Sequence, residues 1–320
     1  RINIAASIGS IGATLISGYV MTAVGGSLAN MYMIPIVLAT LCVFFSSTAM
    51  LKVREKKFSN DSKSTPLINW ELFRSNVNFR TLCQVSFVHS FFMSISWPLF
   101  AITMVRVIKI DMIQIAYISI ISSIVAIFVR RLIGRITDYA GRRRLIIISR
   151  AGIFIYPTIY AFATNFYHLV IANLIVGVFG AISEIVIFAY QLDVTSEGQR
   201  GASLSLYNTV SGVATFFGSL FGGYIPSVMM SLGLNELVSI QLAYAISAIG
   251  RLGGGLLFLK IKEPISYPST IRKEIKRVVS EDIERTKEEL EQIELKGERV
   301  DYELHEDFEL LEGRIRKKEY

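Results

Sequence analysis

The chain has 320 residues, of which 52% are hydrophobic and only 18% are charged. A soluble domain carries about a quarter charged residues, so this composition excludes an ordinary soluble protein. The formal net charge of +7 could suit nucleic acid, but the basic residues are concentrated in short segments between long apolar runs. This distribution argues against a nucleic-acid partner and predicts a protein whose main surroundings are the lipid bilayer.

Eight apolar runs are long enough to cross a membrane as helices, which requires about 20 predominantly apolar residues. We therefore predict an all-α membrane protein, a polytopic bundle of about eight transmembrane helices with a cytoplasmic helical tail. The two cysteines, Cys42 and Cys83, fall in or beside these runs and are interpreted as buried thiols. The runs cover roughly residues 4–27, 32–51, 82–105, 112–133, 145–163, 168–190, 203–229 and 237–259.

Basic residues occur in alternate connections between the runs. They cluster between the second and third runs, around the end of the fourth run, and at Arg200 after the sixth run. The positive-inside rule places these connections in the cytoplasm. We therefore expect a multi-pass protein of the cell membrane with both chain ends in the cytoplasm.

A weak internal repeat suggests how the runs are organised. Residues 11–18 and 211–218 each contain two glycines six positions apart, at an offset of 200 residues. If this is a true repeat, the first run is the fifth helix of one half and the seventh run is the fifth helix of the other. Two unrelated glycine-rich helices are the alternative. Because the chain starts with Arg1, we expect a missing N-terminal part. The predicted domains are the last two helices of an N-terminal half (1–51), a cytoplasmic linker (52–79), a six-helix half (80–263) and a charged, helical cytoplasmic tail (264–320).

One short polar segment lies between the fourth and fifth runs, at residues 134–144. Its glycines, Gly134 and Gly141, permit a tight reversal of the chain with close helix approach. Asp138 is an acid among several arginines and can cap a helix or pair with Arg142. The segment is therefore a candidate contact between helix ends.

The segment resembles the signature loop of the major facilitator superfamily, G-x-L-[AS]-D-[RK]-x-G-[RK]-[RK]-x-x-[LI]. Ile136, Thr137 and Tyr139 depart from that pattern. The resemblance implies a loop between the eighth and ninth helices of a transporter, in which Asp138 faces the start of the eleventh helix near Arg200 and gates the transport path. A static staple flanked by positive-inside arginines is the alternative. The matching residues are Gly134, Asp138, Gly141, Arg142, Arg143 and Ile146.

Several polar side chains lie within the runs, where ionisable groups are costly and usually mark a pathway or a buried pair. Glu184 is predicted either to carry protons or a cation, or to form a structural ion pair with Arg251. His89 and Trp97 lie on a polar face that lines a cavity or packs helices, and Asn208 contacts substrate or a neighbouring helix. The candidate substrate or proton-path residues are Glu184, His89, Asn173, Gln191, Trp97, Asn208 and Arg251.

These features favour a secondary active transporter, a symporter or antiporter, that moves a small molecule by alternating access with protons as a candidate coupling ion. The sequence contains neither a phosphate-binding G-x-x-x-x-G-K-[ST] motif nor H-E-x-x-H. We therefore predict that it is not an enzyme and uses no cofactor or metal. The alternative function is a membrane sensor that signals through the C-terminal tail.

Overall fold

A computed structural model describes residues 2–24, 28–50 and 70–264, which are almost entirely helical. The predicted helical tail and most of the predicted linker lie outside these residues. Short turns of π-helix and 3-10 helix occupy Thr103–Val107, Glu197–Gln199 and Leu257–Lys260. The α-helices are α1 (Ile2–Val24), α2 (Leu28–Met50), α3 (Trp70–Ser75), α4 (Val77–Ile95), α5 (Trp97–Ile102), α6 (Met112–Ala140), α7 (Arg142–Gly152), α8 (Ile155–Ala161), α9 (Phe166–Val194), α10 (Arg200–Ser231) and α11 (Glu236–Leu256).

Six helical stretches of the described residues are long and apolar enough to cross a membrane. The described apolar parts of α1 and α2, Gly9–Met21 and Met33–Ala49, are shorter. Within the described residues each of the eight predicted runs is mainly helical, and the all-α membrane fold is confirmed. The six spanning stretches are Val77–Val107, Met112–Gly134, Arg142–Ala161, Phe166–Val194, Glu197–Ser231 and Glu236–Lys260.

Side-chain caps fix where the spans begin. We call the side where α6 ends and α7 begins the basic end of the bundle. At the opposite end, Asn165 accepts a hydrogen bond from the backbone N–H of His168, which starts α9. Asn235 starts α11 in the same way, and Asp111 starts α6 with a capping box. These polar caps terminate the apolar runs where the helices leave the membrane.

Two of the spans are interrupted near their middle. The first break separates α4 from α5 at Ser96, two residues before Pro98, and the second separates α7 from α8 at residues 153–154, shortly before Pro157. A proline has no backbone N–H and clashes with the preceding helical turn, so each one frees a carbonyl oxygen inside the membrane. Other groups must therefore satisfy the backbone at both breaks.

The interior contains two apolar clusters with polar residues between them. One cluster, which includes Phe79, Ile146 and Tyr190, lies towards the basic end. The other includes Leu99, Leu169 and Tyr244 and lies towards the opposite end. We call the buried polar residues between them the polar layer, and its members include Ser86, His89, Ser90, Ser94, Ser96, Ser247 and Arg251.

The two glycine pairs of the proposed repeat have similar surroundings. A Cβ atom added to Gly18 would lie 3.0 Å from Ala116, and one added to Gly218 would overlap the Phe91 carbonyl oxygen. Such close approach is typical of small residues between membrane helices. The first glycine of each pair, Gly12 or Gly212, has no atom within 4 Å of an added Cβ. This correspondence favours a true repeat, while the domain boundaries remain predictions.

Candidate functional site

A crevice of about 450 Å³ lies between α1, α6 and α9 and contains an ion pair. The Arg130 Nη2 atom is 2.6 Å from the Glu184 Oε2 atom. The Glu184 side chain is 59% exposed and that of Arg130 is 22% exposed, so the carboxylate is the more accessible partner. Both residues belong to spanning stretches, where charged groups are costly and usually functional. We call this cavity the charged crevice.

Small residues on the facing helices leave room for the charged crevice. A Cβ atom at Gly177 of α9 would lie 2.8 Å from the Ser122 carbonyl oxygen of α6, so the two backbones nearly touch there. Glu184 is seven residues further along α9 and therefore lies on the same helix face. Gly180, between them, has open space around it and lines the charged crevice together with Ser122.

The three candidate path residues of α9 lie in two different places. Glu184 faces the charged crevice, but Asn173 is buried and donates hydrogen bonds to the Tyr160 hydroxyl at 3.2 Å and the Leu169 carbonyl at 2.9 Å. Gln191 is 2% exposed, and its Oε1 atom has no hydrogen-bond partner among the described residues. Asn173 and Gln191 therefore lie in the bundle interior and not in the crevice.

His89 connects two helices in the polar layer. Its Nε2 atom is 3.0 Å from the backbone carbonyl oxygen of Arg150, and its Nδ1 atom is 3.2 Å from the Nη1 atom of the same residue. A carbonyl only accepts and a guanidinium only donates, so the ring carries its proton on Nε2 and is neutral. The fully buried imidazole thus joins α4 to α7.

In the structure, Arg251 lies away from Glu184, its predicted ion-pair partner. Glu184 is paired with Arg130, whereas Arg251 is 1% exposed and lies in the polar layer. Its guanidinium donates to the Met93 carbonyl at 2.6 Å and to the Ser96 hydroxyl, both at the first helix break. The Glu184–Arg251 alternative is therefore wrong, because Arg251 binds acceptors that the interrupted span leaves available.

Arg251 also reaches the second break. It donates to the Ile153 carbonyl at 3.5 Å, the oxygen that lost its helical donor to Pro157. Its Cζ atom is 6.0 Å from the centroid of the Phe100 ring, a cation–π distance. Among the described residues, no carboxylate forms an ion pair with Arg251, so carbonyls and aromatic rings stabilise its charge.

Trp97 and Asn208 lie apart from the charged crevice. Trp97 is 47% exposed at the first break, and Asn208 is exposed on α10. The candidate residues thus do not converge on one site in the described part of the chain. Within that part, no group of three or more His, Cys, Asp or Glu side chains could hold a metal ion. Cys83 is buried as expected, but the prediction for Cys42 was wrong because it is exposed on α2.

The signature loop is held by an acid that lies just after the last spanning stretch. Gly141 has a φ of +83°, a conformation that favours glycine, and it provides no side-chain cap for α7. Glu263 supplies the cap. Its two carboxylate oxygens accept hydrogen bonds from the backbone N–H groups of Arg142 at 2.8 Å and Arg143 at 3.0 Å. A carboxylate at a helix N-terminus also interacts favourably with the helix dipole.

The arginine side chains of this loop extend the same contact. The Arg142 guanidinium forms an ion pair with Asp193 and donates to the Ala189 carbonyl of α9. The Arg143 guanidinium donates to the Leu259 carbonyl at 2.7 Å. We call Glu263, Asp193 and the two arginines the basic-end latch, because together they join α7, α9 and the end of α11.

The other loop candidates lie outside this latch. Gly134 is exposed on α6, with open space around it. Arg200 pairs with its neighbour Glu197 at 3.4 Å on the surface. The side chain of Asp138 lies outside the described residues, so its gating contact with α10 stays a prediction.

The sequence analysis did not identify three residues of these sites. Arg130 belongs to the basic residues around the end of the fourth run, but it falls inside that apolar run (112–133), which was a usable signal. Asp193 lies just after the sixth apolar run and belongs to no motif identified in the sequence. Glu263 is 121 positions from the backbone amide that it caps, a separation that no local pattern reveals.

Comparisons with known proteins agree with this architecture. The profile of the Major Facilitator Superfamily matches residues 82–296. A probable peptide/nitrate transporter of Arabidopsis thaliana is 30% identical over 92 residues, and the protein Zinc Induced Facilitator-Like 1 of the same plant is 26% identical over 92 residues. Each match covers 29% of this chain and 19% of the relative. The chain thus aligns with about a fifth of the length of these relatives.

Proposed function

Because the chain belongs to the Major Facilitator Superfamily, we propose that it is a secondary active transporter that moves a small molecule by alternating access. The observation that carries the proposal is the Arg130–Glu184 ion pair, exposed to a cavity at membrane depth. A purely structural pair would be shielded from that cavity. The family match favours a transporter over an enzyme and over a membrane sensor.

In this proposal the charged crevice is the route and the basic-end latch is the gate. The latch closes the basic end by joining α7, α9 and the end of α11 through Glu263 and Asp193. Its release would let these helix ends separate. Asp138 and Arg200 complete the gate as the family resemblance implies. The basic end faces the cytoplasm of the cell, as the positive-inside rule predicts.

Proton coupling is the finer part of the proposal. A proton on Glu184 would neutralise its carboxylate and remove the charge attraction at the 2.6 Å contact with Arg130. A protonated Glu184 could no longer bind a cationic group of a substrate, so protons and substrate would compete for this residue and their binding would be linked. His89 takes no part in this route because both of its ring nitrogens are already hydrogen-bonded.

The test is uptake into proteoliposomes with and without a pH gradient. The solutes are peptides and nitrate, as the name of one relative suggests, together with sugars, organic acids and lipophilic cations. We expect Glu184→Gln to abolish the dependence of uptake on the pH gradient at normal protein abundance. The matched control is Glu236→Gln, which removes a surface carboxylate that lies 3.7 Å from Arg106. Unchanged dependence in Glu184→Gln would refute proton coupling, and no uptake of any solute by the wild type would refute transport.

A truncation separates transport from sensing. The chain is cut after Pro264 so that Glu263 of the basic-end latch is retained. A transporter should keep its uptake without the tail. Loss of uptake in a well-folded truncated protein would instead assign an essential role to the tail.

A further inference from the structure

An apolar groove lies next to the charged crevice. This apolar groove has a volume of about 960 Å³ and lies between α1, α2 and the first turns of α6. Its walls include Ile16, Leu38 and Ile115, and no charged residue lines it. Ser10 lines both cavities, so the two are neighbours that share a wall.

Both cavities follow α6. Residues of the apolar groove extend from Met112 to Ser119, and those of the charged crevice from Ser122 to Arg130. With a rise of 1.5 Å per residue, the combined length is about 27 Å. An elongated ligand with a charged head and an apolar body matches this sequence of surfaces.

The charge of the head follows from the ion pair. Arg130 and Glu184 together carry no net charge, and a ligand with a single charge would leave an unbalanced charge at membrane depth. A ligand with an ammonium and an acid group close together avoids this penalty. Glu184 then binds the ammonium and Arg130 binds the acid, while the site stays neutral.

We propose that the charged crevice and the apolar groove together bind a zwitterionic amphipath, with its head at Arg130 and Glu184 and its apolar chain along α6. This rests on the proposed function, since it names the substrate class of that transporter. A lysophospholipid from the bilayer and a long-chain amino acid from solution share this chemistry.

The test is direct binding to the full chain in lipid nanodiscs. The probes are lauroyl lysophosphatidylethanolamine, long-chain 2-aminotetradecanoic acid, dodecyl phosphate, dodecylammonium and glycerophosphoethanolamine, which lacks the chain. We expect at least one of the two zwitterionic amphipaths to bind at least about tenfold more tightly than the other three, and which one binds identifies the source. Tighter binding of a singly charged amphipath would overturn the proposal.

Charge variants distinguish a ligand-binding ion pair from a purely structural one, because only a ligand-binding pair changes the relative affinities for differently charged ligands. Glu184→Gln leaves the site with a net positive charge, so it should weaken the zwitterion about tenfold and strengthen dodecyl phosphate. Arg130→Gln should weaken the zwitterion and strengthen dodecylammonium. Glu236→Gln, the matched surface control, should leave all affinities within about twofold. Equal affinities in all variants would contradict the assignment of the head group.

The apolar groove is tested by filling it. An added Cβ at Gly12 meets no atom within 4 Å and points at space, and Gly12 lines the groove. Gly12→Phe should therefore abolish amphipath binding without strain. Gly212→Phe is the matched control, because its position in the repeat and its open surroundings are the same but it lies on α10. Equal binding by both variants would exclude the groove.

These experiments distinguish a failure of the ligand-class proposal from a failure of the transporter proposal. Amphipath binding without uptake of any solute would sustain the ligand class and overturn the transporter. Uptake of a short polar solute without amphipath binding would sustain the transporter and overturn the ligand class.

Discussion

Replacing Glu263 with glutamine should measure the strength of the basic-end latch. Each hydrogen bond to a charged partner contributes about 1.5–3 kcal/mol. Glutamine keeps one acceptor oxygen and turns an N–H group towards the second amide, so one of the two bonds to α7 is lost with the charge at the helix N-terminus. We expect a loss of roughly 1.5–3 kcal/mol, or about 3–12 °C in apparent Tm by the scaling of globular domains.

The assay is thermal unfolding of the purified protein in detergent, with Glu197→Gln as the control. Glu197 is 88% exposed beside Arg200, so its removal should shift the apparent Tm by a degree or two at most, about 0.5 kcal/mol. A double-mutant cycle adds Gly141→Ala, because a Cβ there would lie 3.2 Å from the Glu263 Oε2 atom at a φ of +83°. The two changes disturb one contact, so their combined effect should be smaller than their sum. Equal shifts for Glu263→Gln and the control, or strict additivity in the cycle, would refute this account of the latch.

Three further predictions follow from the packing. Arg251→Met should lower stability by at least about 2 kcal/mol, since three buried oxygens lose a donor, and an unchanged apparent Tm would contradict its role in the polar layer. Gly222→Leu should prevent folding because an added Cβ overlaps the Ile95 carbonyl, whereas Gly223→Leu, on open surface, should be tolerated. Gel filtration in detergent compares the two variants, and equal behaviour would count against the close α4–α10 contact. A membrane-permeant maleimide added to the protein in detergent should label Cys42, which is exposed on the apolar helix α2, but not buried Cys83. A bound amphipath should protect Cys42 because it lines the apolar groove, and labelling unaffected by ligand would place the amphipath elsewhere.

Hydropathy predicted the helices well because a membrane segment must satisfy its own backbone groups and remain apolar over a fixed length. The short helix α3 is amphipathic, since Leu72 is buried and exposed Trp70 packs edge-to-face on Phe73. The family resemblance of the loop was likewise visible in a few spaced residues. These signals are local, so a single sequence shows them without any information about tertiary contacts.

The partners of the polar side chains could not be predicted in the same way. Depth along a helix suggested Arg251 for Glu184, but the rotation of each helix about its axis decides which residues meet. Arg130 faces α9, whereas Arg251 faces the breaks in the two interrupted spans. Those breaks depend on how Pro98 and Pro157 are accommodated by tertiary contacts, which the sequence alone does not specify.

The position of Arg251 has a mechanical consequence. One guanidinium on α11 holds acceptors at the α4–α5 break and at the α7–α8 break, which makes it a common fastening point for two hinges. Bending either span at its proline would stretch bonds to the same planar group. The outer segments α5 and α8 are therefore expected to tilt in concert. Their direct contact adds to this coupling, because the Phe100 ring of α5 packs at 4.6 Å, centroid to centroid, on the rings of Tyr156 and Tyr160 in α8.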